Sequence, residues 1–377
     1  MKKVLVPRVR FKGFDDNWEQ GNIGEVFELT RGEVLSQRKI RNKKMGEYIY
    51  PVFSSQTLNN GLLGFYNNFL FKNSITWTTD GANAGTVLYR DGLFYATNIC
   101  GVMLQKTSIK PSSYFAHEIN VKVKKHVIKA GNPKLMINVL HEVLINFSKN
   151  KLEQEKISIL IENIDYLITL EEIKLNKLKQ LKQTLLQKMF PEGNSKIPRI
   201  RFKGFDEEWK EDTIGNIAKV INGKSNTSDN NKWGQYNLYI RSEEIYKSNK
   251  YIFDVEGVIT VGDGNIGKIF HYVNEKFDLH QRCYLIYEFQ NIWPKYFYYY
   301  FSQNFYKRAI LMSYTATVNS IRMNTITDMD IMFPKELIEQ QKIGDFFCKI
   351  DTLLDLYNSK LNKLKQIKEA LLQKMFV

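Results

Sequence analysis

The segment PRVRFKGFDDNW at residues 7–18 returns as PRIRFKGFDEEW at residues 198–209, 191 positions later. A second pair comes in the same order. KLNKLKQLKQTLLQKMF begins at Lys174 and KLNKLKQIKEALLQKMF at Lys360, 186 positions apart, and LEQEKI (152–157) and IEQQKI (338–343) share that offset. Two long matches in one order are the signature of internal duplication. The chain must therefore fold as two copies of one plan, each with an opener, a body and a closing segment. The bodies, roughly 27–130 and 218–316, resemble each other poorly. At 377 residues the chain exceeds one ordinary core, which agrees with two domains.

The closing segments carry the clearest periodicity. Ile343, Phe347, Ile350, Leu354, Tyr357, Leu361 and Leu364 step by four and three, a coiled-coil seam. The first copy repeats it with Ile157, Ile161, Ile164, Ile168, then Glu171 off the pattern, then Leu175 and Leu178. Beyond these the apolar positions shift to Leu181, Leu185 and Met189, and to Ile367, Leu371 and Met375, which reads as a local change of winding in both copies. No Gly or Pro interrupts residues 152–190, so a rod of roughly 58 Å is expected at about 1.5 Å per residue. The short link PEGNSKI (191–197) leads directly into the second opener. Paired helices would then run antiparallel, with the bodies at opposite ends.

Within the bodies, ITWTTD, GTVLYR, GVMLQ, GVITVGDG and CYLIYEF read as short strands, rich in β-branched and aromatic residues and bounded by Gly, Asn and Asp. WPKYFYYYFSQNFYKRAILM reads as a helix starting after Pro294. The expected class is α+β: two mixed α/β domains separated by two long antiparallel coiled-coil helices, as a pseudo-twofold internal repeat. The expected boundaries are 1–150, 151–190, 191–336 and 337–377.

Net charge is +14 with pI near 9.3, a balance that favours polyanionic partners. The opening MKKVLVPRVRFKGF lacks the apolar run of a signal peptide, and no window of about twenty apolar residues exists to span a membrane. Cys100, Cys283 and Cys348 are far apart, with no CxxC and no close Cys/His pair. Neither a zinc finger nor a disulfide framework is indicated, and a reducing cytoplasm is expected.

Several motifs tempt and fail. VGDGNIGKI (261–269) contains GxGxxG and GxxxxGK by letter. Its continuation, KIFHYVNEKF, reads as a strand rather than the helix a pyrophosphate site needs, and Ile269 stands where a P-loop needs Ser or Thr. DGANAG (80–85) is the comparable stretch of the first body, so both read as tight β-turns. GKS at 223–225 lacks the earlier glycine, because residue 218 is Ala. Asn132-Pro133-Lys134 falls short of the Asn/Asp-Pro-Pro-aromatic step of adenine methyltransferases. Glu172-Ile173-Lys174 matches a nuclease pattern only as letters on the predicted rod. His117, His126, His141, His271 and His280 show no metal spacing and no nucleophile partner. No catalytic constellation emerges.

What remains is binding chemistry. Arg, Lys, Asn, Gln, Ser and Thr in loops are the side chains that clamp phosphates and read base edges. The candidates in the first body are Arg31, Arg38, Lys39, Ser54, Ser55, Gln56, Lys129, Asn132 and Lys134. In the second they are Lys224, Asn226, Arg241, Ser242, Thr317, Asn319, Ser320 and Arg322. The stretch around Lys129–Lys134 and the stretch 313–322 correspond at the offset of 186.

The duplicated openers, the LEQEKI-type lead-in and the KLNKLKQLKQTLLQKMF helix resemble the specificity subunit of type I restriction–modification systems, over the whole chain. The resemblance implies a non-catalytic DNA-binding subunit whose bodies are target recognition domains, each reading one half of a bipartite, asymmetric target. The helices would be spacer regions setting the distance between the halves. The resemblance further implies two adenine methyltransferase subunits and motor–nuclease subunits as partners, with S-adenosylmethionine, ATP and magnesium bound by them and no cofactor or metal on this chain. It transfers no base-reading residue, so the candidates above rest on side-chain chemistry. Two alternatives stay open: a two-headed coiled-coil scaffold without sequence-specific DNA binding, and an enzyme whose cofactor motif escapes recognition.

Overall fold

The computed structural model describes residues 5–55, 58–193, 195–315 and 319–376. The chain packs as two compact units, Met1–Glu171 with Lys360–Val377, and Glu172–Ser359. Each unit takes one opener, one body and a length of both long helices.

The bodies share one topology despite their unlike sequences. In the first, six strands lie in the order Phe27–Arg31, Cys100–Gln105, Phe71–Thr78, Val87–Ala96, Tyr50–Phe53, Leu62–Tyr66. In the second the order is Lys219–Asn222, Cys283–Tyr287, Phe253–Val261, Phe270–Leu279, Tyr236–Tyr239, Tyr246–Ser248. All neighbours are antiparallel except Tyr50–Phe53 against Val87–Ala96 and Tyr236–Tyr239 against Phe270–Leu279, which are parallel. The central registers also correspond, Thr78 opposite Cys100 and Val261 opposite Cys283. The strands expected from sequence are therefore found, and the glycine-rich 261–269 and 80–85 are the turns between the two longest strands of each sheet.

One sheet face is covered by a helix, Ser113–Val123 in the first unit and Pro294–Leu311 in the second. Phe115 meets Phe27 edge-on at 5.3 Å, and Phe301 meets Phe270 at 5.4 Å. The second helix begins at the proline expected to start it, where the missing N–H costs nothing.

The repeated openers find their explanation in the long helices, Lys151–Lys188 and Leu337–Met375. In the first unit Arg10 donates through Nε to Glu153 Oε1 (2.6 Å) and through Nη2 to Oε2 (3.0 Å). In the second, Arg201 forks onto Glu339 in the same way, at 2.7 and 2.9 Å. Both carboxylates are fully buried in the first turn of their helix, where the helix dipole also favours an anion. The glutamate of LEQEKI and IEQQKI is thus the partner of the second arginine of PRVR and PRIR. An aromatic cluster closes each joint: Phe376 lies against Trp18 and Tyr114 at 6.2 and 5.5 Å, and Phe190 against Trp209 and Tyr296 at 6.4 and 5.7 Å.

Within each unit the two helical lengths run antiparallel. The seam residues Ile157, Ile161, Ile164, Leu175, Ile343, Phe347, Ile350 and Leu361 are buried, and Ile168, Leu178, Leu354 and Leu364 are half-buried. Several of them serve a body core as well. Ile157 and Ile161 belong to the first unit's core, and Phe347 packs on Tyr299 at 5.2 Å.

The change of winding expected beyond Leu178 and Leu364 does not occur. Leu181 and Ile367 are half exposed (51% and 50%). The seam instead keeps its steps of four and three through Lys182 to Leu185 and Met189, and through Lys368 to Leu371 and Met375. The lysines hold apolar positions by lying along the seam and ion-pairing across it, Lys182 with Asp351 and Lys368 with Asp165. Glu171, off the pattern in sequence, is buried and accepts from Lys360 at 2.9 Å.

Candidate nucleic-acid interface

At one end of each sheet, loops from distant parts of the sequence are tied together by backbone hydrogen bonds. In the first unit Gly32 N donates to Cys100 O (3.0 Å), Thr97 N to Phe53 O (2.9 Å), Gly81 N to Pro133 O (2.9 Å) and Leu135 N to Thr79 O (2.9 Å). The second unit repeats the scheme. Gly223 N donates to Cys283 O (3.2 Å), His280 N to Tyr239 O (2.9 Å), Gly264 N to Asn319 O (2.9 Å) and Ile321 N to Gly262 O (2.9 Å).

The two loops paired at the 186 offset are equivalent hairpins. Ile128 bridges Lys134, and Tyr314–Thr315 pairs with Asn319–Ser320. Each hairpin bridges onward to an aspartate of the turn between the longest strands, Lys134 to Asp80 and Ser320 to Asp263.

The close approach of these loops explains a motif left over from the sequence. A Cβ on Gly223 would lie 2.2 Å from the Leu279 carbonyl oxygen, and one on Gly32 would lie 2.0 Å from that of Ala96. The glycine of GKS is therefore there to let two backbones touch, not to cradle a phosphate.

This cluster collects most of the first body's candidates. Arg31 ends its strand beside Gly32 and is exposed. Lys129, Asn132 and Lys134 are exposed on the hairpin, Lys134 Nζ lying 3.7 Å from the Asp80 carboxylate. Ser55 is half-buried. Ser54 is buried, with its hydroxyl accepting from Thr97 Oγ1 (2.9 Å), so it positions the loop. Arg38 and Lys39 stand apart on an exposed helical turn, Gln37–Lys39, ahead of a bridge between Arg41 and Phe65 at the sheet edge.

In the second body Arg241 donates to both oxygens of Asp263 at 3.1 Å and remains about half exposed. Lys224 and Asn226 are exposed, Asn226 Oδ1 accepting from Gln281. Ser242 donates to Glu244 O (2.9 Å). Asn319 and Ser320 form the returning strand of the hairpin, and Arg322 is exposed at the start of the helix Met323–Thr327. Gln56 and Thr317 lie outside the described residues.

Sequence reasoning passed over two residues here, and a third away from the cluster, ahead of the strand Tyr236–Tyr239. Asp80 and Asp263 share one position and each pairs with a cation; the recurring Asp-Gly step in both turns was the available signal. Trp233 is 86% exposed, with the Lys232 ammonium 5.6 Å from its ring centre. An exposed tryptophan beside a lysine is suited to stack on a base.

The cluster also contains His280. Burial lowers its pKa, and the neutral ring accepts the Arg282 amide at Nδ1 (3.0 Å), fixing the turn into Cys283–Tyr287. The thiol of Cys283 is pushed up to about 12 by burial, which makes it a packing group. Among the described residues no group of three or more His, Cys, Asp or Glu could hold a metal ion, and no helix is long and apolar enough to cross a membrane.

A scan of family descriptions matches the type I restriction modification DNA specificity domain twice, at residues 15–180 and 206–366. Among curated proteins, an N-terminal segment described as a type I specificity subunit of Mycoplasma pneumoniae is 39% identical over 142 residues, 37% of this chain and 74% of the relative. The EcoDI specificity subunit of Escherichia coli is 31% identical over 166 residues, 44% of this chain and 35% of that one. A second M. pneumoniae relative is matched over 43% of its length, so the aligned part spans less than half of these longer relatives. Among solved structures, the S subunit of a type I restriction–modification system from M. genitalium aligns over 99% of both chains with TM-score 0.74 at 18% identity, a likeness of fold. With both halves matched, the chain belongs to the family of type I restriction–modification DNA specificity proteins and carries two copies of the family's domain.

Proposed function

We propose that this chain is the non-catalytic DNA-reading subunit of a type I restriction–modification complex. Each body contacts one short DNA segment through its loop cluster, and the bodies together define a bipartite, asymmetric target. The observation that carries the reading is the recurrence of one backbone-tied loop cluster at the same end of two sheets of identical strand order, built from unlike residues. A constant frame with variable loops is what two different readings from one plan require. The exposed Arg31, Lys129, Lys134, Lys224 and Arg241 supply cations for phosphate contact, and Asn132 and Asn319 supply amides for base edges.

Partner chemistry is part of the proposal. Adenine methylation belongs to two methyltransferase subunits that bind S-adenosylmethionine, and cleavage to motor–nuclease subunits that use ATP and magnesium. The long helices set the unread spacing and dock the partners. In support, Leu152, Ile159, Tyr166 and Ile173 recur every seven residues along Lys151–Lys188, each between 47% and 64% exposed. Such a stripe fits a helix of another chain. A solved chain at TM-score 0.54 and 15% identity comes from work on complex assembly in the type I system.

The deciding experiment is a genome-wide map of N6-methyladenine with and without this gene. Loss of methylation at one asymmetric two-part motif is the expected result. An unchanged map, with the methyltransferase expressed, would turn the reading toward a scaffold. DNA affinity of the assembled methyltransferase should also fall steeply between about 50 and 200 mM salt, as counterion release demands.

A further inference from the structure

The first body contains a cavity of about 220 Å³ on the sheet face opposite the helix, where Ser54, Thr76, Thr78, Thr86 and Arg90 place polar groups in a lining that Trp77, Leu88 and Cys100 otherwise keep largely apolar. Arg90 is 91% buried there, with its guanidinium carbon 3.8 Å from the centre of the Phe53 ring. Its Nε donates to Thr76 Oγ1 (3.0 Å) and Nη2 to the Asn60 carbonyl (2.7 Å). Asn60 holds a left-handed backbone (φ 54°) between Asn59 and Gly61, which are left-handed as well. A guanidinium has five N–H donors, and among the described residues two of them find acceptors. Among the described residues no carboxylate pairs with Arg90. With no acid beside it, burial pulls its pKa down to about 10.

The second body shows what this site replaces. Arg90 lies opposite Ser74, four residues before Thr78; Val273 lies opposite Gly257, four residues before Val261. By the same register, Thr76 and Thr78 stand where the second body has Ile259 and Val261. There Ile259, Val261 and Val273 join one continuous apolar cluster. A fold that accepts an apolar core at this place carries, in one copy, a buried cation with spare donors and a ring of hydroxyls. An unpaired buried charge is strongly unfavourable, and an anionic occupant would remove the penalty.

We propose that this cavity is an oxyanion site for a phosphate group, held by the free N–H groups of Arg90 and the hydroxyls of Ser54 and Thr78. The Ser54 hydroxyl, which accepts from Thr97, keeps its own proton to give. The phosphate comes either from solution or from a DNA phosphodiester drawn into the first body. Binding of free phosphate by the chain does not rest on the DNA-reading proposal.

The test is thermal unfolding of the full chain against inorganic phosphate, with chloride at matched ionic strength as the reference. The wild type should gain about 2–6 °C at saturating phosphate, and Arg90→Met should lose that response without losing its fold. Thr78→Val, which copies the second body, should weaken phosphate binding at least about threefold while leaving the chloride melting point near wild type. Crystals soaked in tungstate should show an anomalous peak beside Arg90. A wild-type chain indifferent to phosphate, or an Arg90→Met chain that still responds, overturns the proposal. Fluorescence anisotropy with the methyltransferase complex separates the sources. If Arg90→Met lowers the salt slope for DNA by about one and phosphate competes with DNA, the occupant is a phosphodiester. If DNA binding is untouched while the phosphate response is lost, it is a free phosphate.

Discussion

Glu153 and Glu339 show how much can hang on one side chain. Each is buried and held by a forked arginine from the opener, so removing the cation alone leaves a charge out of solvent with no cation beside it, Glu153 keeping only the Trp18 indole N–H at 3.3 Å. Arg201→Met is expected to destabilise the second unit by about 3–5 kcal/mol, and adding Glu339→Leu should recover most of that; urea unfolding of the single and double variants measures both. Glu118 makes a different case. It is buried in the helix Ser113–Val123, and desolvation lifts its pKa to about 7, outweighing Lys122 and the Asn146 amide. The unfolded carboxyl titrates near its ordinary 4.5, so between these values the folded state binds more protons. Stability of the first unit should therefore fall as pH rises from about 4.5 through 7, by roughly 3 kcal/mol, then level off. Glu118→Gln should flatten that slope, which melting curves across pH would reveal. The repeated arginine and glutamate were both visible in the sequence as letters. Their pairing was not, because 143 and 138 residues separate the partners.

At the level of elements, the long helices were the most legible part of the chain and also the place of its clearest misreading. Apolar spacing located the seam, but it drew Leu181 and Ile367 into it and left Lys182 and Lys368 out. A lysine stem is apolar for four carbons, so a rule that counts whole residues as apolar or polar misplaces it. The structure puts both lysines in register, each facing an aspartate 186-offset from the other's. Because these pairs are partly exposed, a double-mutant cycle on Lys182 and Asp351 should give a coupling of about 0.5–1 kcal/mol, smaller at high salt. The strands of the bodies were legible from composition, and the turns from their glycines. The loop clusters were legible only as stretches: Lys134 and Arg241 were nominated, whereas Asp80 and Asp263, their partners, were not. Polar loops have no period, and what unites them is a set of backbone bonds that no local pattern encodes.

At the scale of the whole molecule, duplication was certain from the sequence, and the bodies' common strand order was not. Sheet order depends on pairings between distant segments, and the two bodies share too few residues to betray it. If the proposed division of labour holds, lengthening the helices near Leu178 or Leu364 should change the spacing between the recognised segments and leave their bases alone, while exchanging residues 27–150 should do the reverse. Methylation mapping of each variant reads both, and a base change from the helix insertion would sink the idea.

The joints described above carry one more consequence. Ile200 N bonds to Lys188 O at 2.9 Å, where the first helix hands the chain to the second opener. Val9 N bonds to Lys374 O at 3.0 Å, where no peptide link runs from the second helix to the first opener. Each unit thus has the same helix-to-opener crossing, held by an equivalent backbone bond. Moving the break from one crossing to the other, by joining Phe376 to Leu5 through a copy of PEGNSKI and opening the original link, should give a permuted chain with the same melting behaviour.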